Sequence, residues 1–158
     1  MAKIIFLLRH AQSAGKQSGQ RDYDRLLTPQ GEVEARTNGK KISDGNYFPD
    51  LILCSGAART RKTLELFYEF KQLLNEKIQF REDLYDASMT HLLDIIQGLP
   101  DDINKVMLIG HNPGISLLAS DLSTRIVDMS TCQLVGYEFQ VDSWLDIDSC
   151  GKEILNIK

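Results

Sequence analysis

The chain has 158 residues, 42% of them hydrophobic and 25% charged, with a formal net charge of −4. That length suits one ordinary domain with a sizeable core, and the average composition argues against a disordered or fibrous chain. The negative balance argues against a broad nucleic-acid surface, which is normally basic, and no apolar stretch approaches the roughly 20 residues of a transmembrane helix.

Taken in chain order, Lys3–Leu8 is a continuous apolar run that reads as a strand buried on both faces, as in parallel sheets. Its apolar part is too short for a secretion signal and ends in Arg9-His10, so the expected location is cytoplasmic. Thr28-Pro29 reads as a helix start, with Thr28 as N-cap and Pro29 at the first helical position. Gly31 stands where a capping box would place Glu or Gln. This helix is expected to run to about Ser43, before Asp44-Gly45-Asn46.

Leu51–Cys54 reads as a second buried strand. Ala57 to about Leu74 reads as a long helix, with Leu64, Phe67, Tyr68, Phe70 and Leu74 at roughly helical spacing. A short strand over Lys77–Phe80, a helix over Met89–Leu99, a third buried strand over Val106–Ile109 and a helix over Gly114–Leu122 follow. Gln133–Val141 and Glu153–Ile157 alternate as strands do. With no repeat and no Pro/Gly-rich linker, residues 1–158 read as a single three-layer αβα domain with a mostly parallel central sheet. The three cysteines, Cys54, Cys132 and Cys150, form no CxxC pair and have no histidine at ligand spacing, so they read as reduced thiols.

In open α/β sheets, ligands bind beyond the carboxyl ends of the strands. The first buried strand is followed by Arg9-His10, the second by Ser55-Gly56-Ala57-Ala58-Arg59, and the third by Gly110-His111-Asn112-Pro113-Gly114. Two of the three histidines in the chain and two arginines are thus delivered to one edge of the sheet. Arginine binds phosphate oxygens in a planar, bidentate fashion, and a neutral histidine can attack phosphorus. Side-chain charge can then serve in place of a metal or cofactor, and none is expected.

These residues resemble the signatures of a known family. Leu8-Arg9-His10-Ala11 resembles the Arg-His-Gly signature of the histidine phosphatase superfamily, which includes phosphoglycerate mutases and acid phosphatases. Ser55–Thr63 and Gly110-His111-Asn112 resemble its second and third blocks. The SixA-like phosphohistidine phosphatases are the nearer branch. Asp22-Tyr23-Asp24-Arg25-Leu26-Leu27-Thr28 is similar to their Asp-Phe-Asp-Arg-Pro-Leu-Thr stretch, and Leu84–Ser88 and Val141–Trp144 are also similar. The resemblance spans nearly the whole chain and implies a phosphoglycerate mutase-like fold. It implies His10 as the nucleophile that carries the phosphoryl group, Arg9 and Arg59 as phosphate clamps, His111 as a transition-state stabiliser and Arg25 as a pocket residue. The sequence departs from the pattern at Ala11, where Gly is usual, at Leu27, where Pro is usual, and near Cys132, where a Pro-Thr-Gly-type turn is usual.

Superfamily members that cleave phosphate esters use a carboxylic acid to protonate the leaving oxygen, and general acid catalysis contributes roughly 10²–10⁴-fold. No block here matches the acid-bearing one, although Glu82, Asp83 and Asp86 lie in the right part of the chain. A phosphorylated imidazole with its other ring nitrogen protonated leaves as neutral imidazole and needs little such help. The expected function is therefore metal-independent hydrolysis of phosphohistidine on a partner protein of the histidine phosphotransfer type. The alternatives are a phosphomonoesterase for a small metabolite and a non-catalytic phosphate- or phosphoprotein-binding module.

Plainer readings remain for individual residues. Arg59 could pair with Glu65 or Glu69, and Arg25 could be a surface ion-pairing residue. His91, Arg61 and Lys62 read as solvated helix residues, and Trp144 and Tyr137 as packing residues.

Overall fold

The computed structural model describes residues 1–45, 47–69, 77–148 and 150–158. Its elements, in order, are β1 (Lys3–Arg9), α1 (Pro29–Ser43), β2 (Leu51–Ser55), α2 (Ala58–Phe67), β3 (Ile78–Arg81), α3 (Met89–Gln97), β4 (Lys105–Gly110), α4 (Gly114–Ser123), β5 (Leu134–Phe139) and β6 (Lys152–Ile157). The strands form one six-stranded sheet in the order β3-β2-β4-β1-β5-β6. β3, β2, β4 and β1 run parallel, β5 pairs antiparallel with β1, and β6 pairs antiparallel with β5.

The apolar runs are continuous because helices cover both faces. Ile5 and Leu7 of β1 point into a core shared with Leu92, Ile95 and Ile96 of α3 and Leu118 and Leu122 of α4. Phe6 and Leu8 point the other way, into a core with Ala35 and Ile42 of α1 and Leu64 and Phe67 of α2. The period of two that would mark a half-buried strand is absent because neither face is wet. Trp144 and Tyr137 are fully buried packing residues, as expected.

Thr28 caps α1 as expected, accepting from the Gly31 amide at 2.9 Å. The glycine has a packing reason. A Cβ at Gly31 would lie 2.0 Å from the Gln12 carbonyl oxygen, so only glycine lets α1 start against the segment that leaves β1. α2 is shorter than its apolar spacing suggested. It ends at Phe67, where the Tyr68 amide closes the last turn on the Leu64 and Leu66 carbonyls. Phe70 and Leu74 lie outside the described residues. Among the described residues, no helix is long and apolar enough to cross a membrane.

Candidate active site

Three adjacent strands, β2, β4 and β1, run parallel and end on the same edge of the sheet. They release Ser55, His111 and His10 side by side. The backbone of His10 is fixed from two directions: its N–H donates to the Gly110 carbonyl at 3.2 Å and its carbonyl accepts from Cys132 at 3.0 Å. Arg59, in the first turn of α2, is anchored through Thr63, whose hydroxyl donates to the Arg59 carbonyl at 2.7 Å and accepts from the Ala11 amide at 3.0 Å. Helix α2 and the His10 strand end are thereby locked together. The result is a cleft of about 420 Å³ that includes Arg9, His10, Arg25, Arg59, His111 and Asp22 in its walls.

The tautomer of His10 follows from its hydrogen bond. Nδ1 lies 2.7 Å from the Ala11 carbonyl oxygen, which can only accept, so Nδ1 carries the ring hydrogen. Nε2 then presents a lone pair to the cleft, with Arg59 Nε donating to it in a long contact of 3.4 Å. Burial lowers the His10 pKa to about 4, and repulsion from Arg59, Arg9 and Arg25 adds to this against the opposing hydrogen bond to Ala11. The imidazole is neutral at physiological pH, the form that a nucleophile requires.

His111 stands beside it, ring centroids 5.3 Å apart. Burial lowers its pKa to about 3, with repulsion from His10 and Arg59 adding to the shift. Its Nε2 is 2.8 Å from Ser55 Oγ. That oxygen also accepts from the Ala57 amide at 3.4 Å; we assign its hydrogen to Nε2, which puts the His111 hydrogen on Nδ1. Among the described residues, the buried side-chain polar atoms without a hydrogen-bond partner are Arg9 Nε, Arg25 Nε, His111 Nδ1 and Tyr137 Oη. Arg9 Nε and His111 Nδ1 belong to cleft residues; Arg25 Nε, also in the cleft, faces the Asp22 carboxylate at 2.8 Å. Buried donors are rarely left unmatched, and donors of this kind in one place suit an anionic ligand.

Residues 5–107 match the histidine phosphatase superfamily (branch 1). The chain belongs to that superfamily. An uncharacterised chloroplastic protein of Arabidopsis thaliana is 32% identical over 152 residues, which cover 91% of this chain and 70% of that protein. Among solved structures, a protein of Agrobacterium tumefaciens assigned to the SixA phosphohistidine phosphatases superposes with a TM-score of 0.85 at 27% identity, covering 99% of this chain and 97% of that one. The protein histidine phosphatase SixA complexed with tungstate superposes with a TM-score of 0.79 at 19% identity, covering 98% and 96% of the two chains, a likeness of fold. The phosphoglycerate mutase-like fold expected from the sequence is the fold observed.

Against the superfamily pattern, the departures fall in loops. Ala11 is fully buried, so a small residue suffices there. Leu27 forms an isolated antiparallel bridge with Ser13. Cys132 adopts a left-handed backbone, φ 57°, and its carbonyl accepts from Asn38 at 2.9 Å.

The structure brings together all five residues singled out from sequence: Arg9, His10, Arg25, Arg59 and His111. Arg59 pairs with Asp22, at 3.1 Å, not with Glu65 or Glu69. Arg25 is not a free surface residue; its Nε lies 2.8 Å from Asp22 Oδ1 and its Nη1 donates to the Ala14 carbonyl at 3.1 Å. Of Glu82, Asp83 and Asp86, it is Asp86 that lines the cleft. Asp83 is held by Arg81 at 2.6 Å and by His91 at 3.2 Å, and the Arg81 hydrogen bonds lower its pKa to about 2. Glu82 receives the Tyr23 hydroxyl at 2.6 Å. Sequence reasoning missed Asp22, Tyr85 and Ser55 as site residues. Their signal lay in the Asp22–Thr28 and Leu84–Ser88 blocks and in the Ser55 that ends β2.

Proposed function

We propose that this chain is a phosphatase that forms a phosphoenzyme on His10 Nε2 and acts on phosphohistidine of a partner protein. The observation that carries the reading is the neutral His10, its Nε2 lone pair directed among Arg9, Arg25 and Arg59. In the first step Nε2 forms a bond to phosphorus as the bond from phosphorus to the substrate imidazole breaks. The leaving nitrogen keeps that electron pair, and a proton on the other ring nitrogen makes the product neutral imidazole. Arg9 and Arg59 hold the equatorial oxygens, and His111 donates from Nδ1 as charge builds on them. In the second step water attacks phosphorus, the P–Nε2 bond breaks, and the electron pair returns to His10. The proton of that water leaves with the phosphate or to solvent.

Two findings support phosphohistidine as the substrate class. The superposition on the Agrobacterium protein assigned to the SixA phosphohistidine phosphatases covers nearly all of both chains. The cleft's inner carboxylate, Asp22, has its pKa lowered to about 2, chiefly by the Tyr85 hydrogen bond, so it cannot supply the proton that an ester leaving group needs. Tungstate bound to a protein of the same fold is consistent with a cleft built for a tetrahedral oxyanion. A second reading, a phosphomonoesterase for a small metabolite, is favoured by one observation: Asp86 in the cleft wall is a carboxyl group that could serve an ester oxygen.

The test is turnover in EDTA of a phosphohistidine-bearing protein and, separately, of p-nitrophenyl phosphate, with His10→Ala alongside. Fast phosphohistidine hydrolysis and slow ester hydrolysis, both lost in the variant, are expected. Efficient ester hydrolysis would favour the second reading, and activity that survives His10→Ala would overturn both.

A further inference from the structure

In that chemistry the arginines and histidines of the cleft have roles, and Asp22 and Tyr85 have none. Asp22 opens a short 3-10 turn, Asp22–Asp24, in the connection between β1 and α1. Four groups converge on it. The Tyr85 hydroxyl donates to Oδ2 at 2.6 Å. Arg59 donates from Nη2 to the same oxygen at 3.1 Å and from Nη1 to the Asp22 main-chain carbonyl at 2.8 Å. Arg25 Nε lies 2.8 Å from Oδ1. The Tyr85 ring stands edge-on to His111, with centroids 5.4 Å apart and planes at 88°, and the Arg59 guanidinium lies 5.8 Å from the ring centre.

Arginine is long and rotamer-rich, so its orientation in a cleft must come from partners. With Nη1 and Nη2 of Arg59 both bound to Asp22, the guanidinium plane is set and Nε is left toward His10. The turn is itself pinned. Tyr23, next to Asp22, donates to Glu82 at 2.6 Å and packs edge-on against Tyr85 at 5.1 Å. A role in stability alone leaves unexplained why the pair stands in the cleft wall: the Arg59 side chain, 6% exposed, needs a partner, but that of Asp22 is 45% exposed and lines the cleft. A role in binding alone explains it no better, because a carboxylate repels a phosphoryl dianion.

We propose that Asp22, held by the Tyr85 hydroxyl, is a positioning residue that fixes Arg59 and Arg25 against the phosphoryl group on His10. This rests on the phosphatase reading and names the element that orients its clamp. Asp22 costs some anion affinity through repulsion and returns it as orientation of the clamp in the transition state. Removing its charge should therefore lower kcat without weakening phosphate binding, a split that a collapsed site would not produce.

The experiment uses Asp22→Asn, Tyr85→Phe and Arg59→Lys in the full chain, with p-nitrophenyl phosphate as substrate and inorganic phosphate as the binding probe. Asp22→Asn is expected to lower kcat about 10- to 100-fold while the inhibition constant of phosphate stays equal or falls. Tyr85→Phe keeps the ring and should act in the same direction, at about 3- to 10-fold. In an Arg59→Lys background, Asp22→Asn should cost less than about 3-fold, because the two act through one contact. An activity-independent readout is the Arg59 Nε–H nuclear magnetic resonance signal, whose hydrogen exchange should quicken at least about 10-fold in Asp22→Asn. Asp22→Asn with more than half the normal kcat, an equal cost in both backgrounds, parallel loss of kcat and phosphate binding, or an unchanged Arg59 signal would overturn the proposal. A wild-type protein that turns over neither p-nitrophenyl phosphate nor a phosphohistidine-bearing protein, or a fully active His10→Ala, would instead overturn the phosphatase reading, and the Arg59 signal would still decide whether Asp22 orients the clamp.

Discussion

Substituting His10 by glutamine should flatten the acid side of the stability profile. The fold lowers the His10 pKa from 6.5 to about 4, first by burial and then by the nearby arginines. Below pH 6.5 the unfolded chain takes up a proton that the folded chain refuses until about pH 4. The group thus contributes stability that is fully present above 6.5 and is lost as pH falls toward about 4. At about 1.4 kcal/mol per pKa unit the whole contribution is about 3 kcal/mol, and about 2 to 3 kcal/mol of it is gone by about pH 4.5. His10 is only 7% exposed, so solvent screening removes little of this. Glutamine cannot take up that proton. Urea unfolding of both proteins at about pH 7.5 and about pH 4.5 measures the difference, and the single, fully buried Trp144 is the fluorescent probe. Wild type is expected to lose about 2 to 3 kcal/mol more than His10→Gln between the two conditions. Equal losses within about 0.5 kcal/mol would refute the claim that the fold holds this imidazole neutral.

Arg59→Ala should lower kcat/KM about 10²- to 10³-fold, the usual effect of removing one preorganised donor, checked by steady-state kinetics on a phosphohistidine protein. Asp86→Asn should leave phosphohistidine turnover within about twofold; if it lowers alkyl phosphate hydrolysis by about 10²-fold, Asp86 is the acid of the esterase reading. Gly39→Ala tests the fold: its Cβ would lie 2.0 Å from the Phe67 carbonyl oxygen, where α1 meets the end of α2. Neither backbone can yield cheaply, so a loss of about 2 kcal/mol or more and a fall in Tm of roughly 4–8 °C are expected by calorimetry.

The sheet was legible because its strands are buried on both faces and read as unbroken apolar runs, such as Ile5–Leu8 and Val106–Ile109. The same fact exposed the core of the site, since His10, His111 and the Ser55–Arg59 segment directly follow those runs. Arg25 was marked only by its resemblance to a known block, and its pocket position depends on an ion pair that sequence spacing does not reveal. Asp22 and Tyr85 meet across 63 positions of chain, through two loops. No local periodicity encodes such a meeting. The end of α2 was overrun because Tyr68 continues the apolar spacing, and the turn that stops the helix is set by backbone hydrogen bonds at Tyr68 and Glu69.

The phosphoenzyme itself tests the central claim most directly. Rapid quenching in alkali during turnover of a phosphohistidine protein, followed by peptide mass spectrometry, should find an acid-labile phosphoryl group on the peptide that carries His10, and none in His10→Ala. A phosphoryl group on another residue, or turnover in His10→Ala with no label, would contradict it.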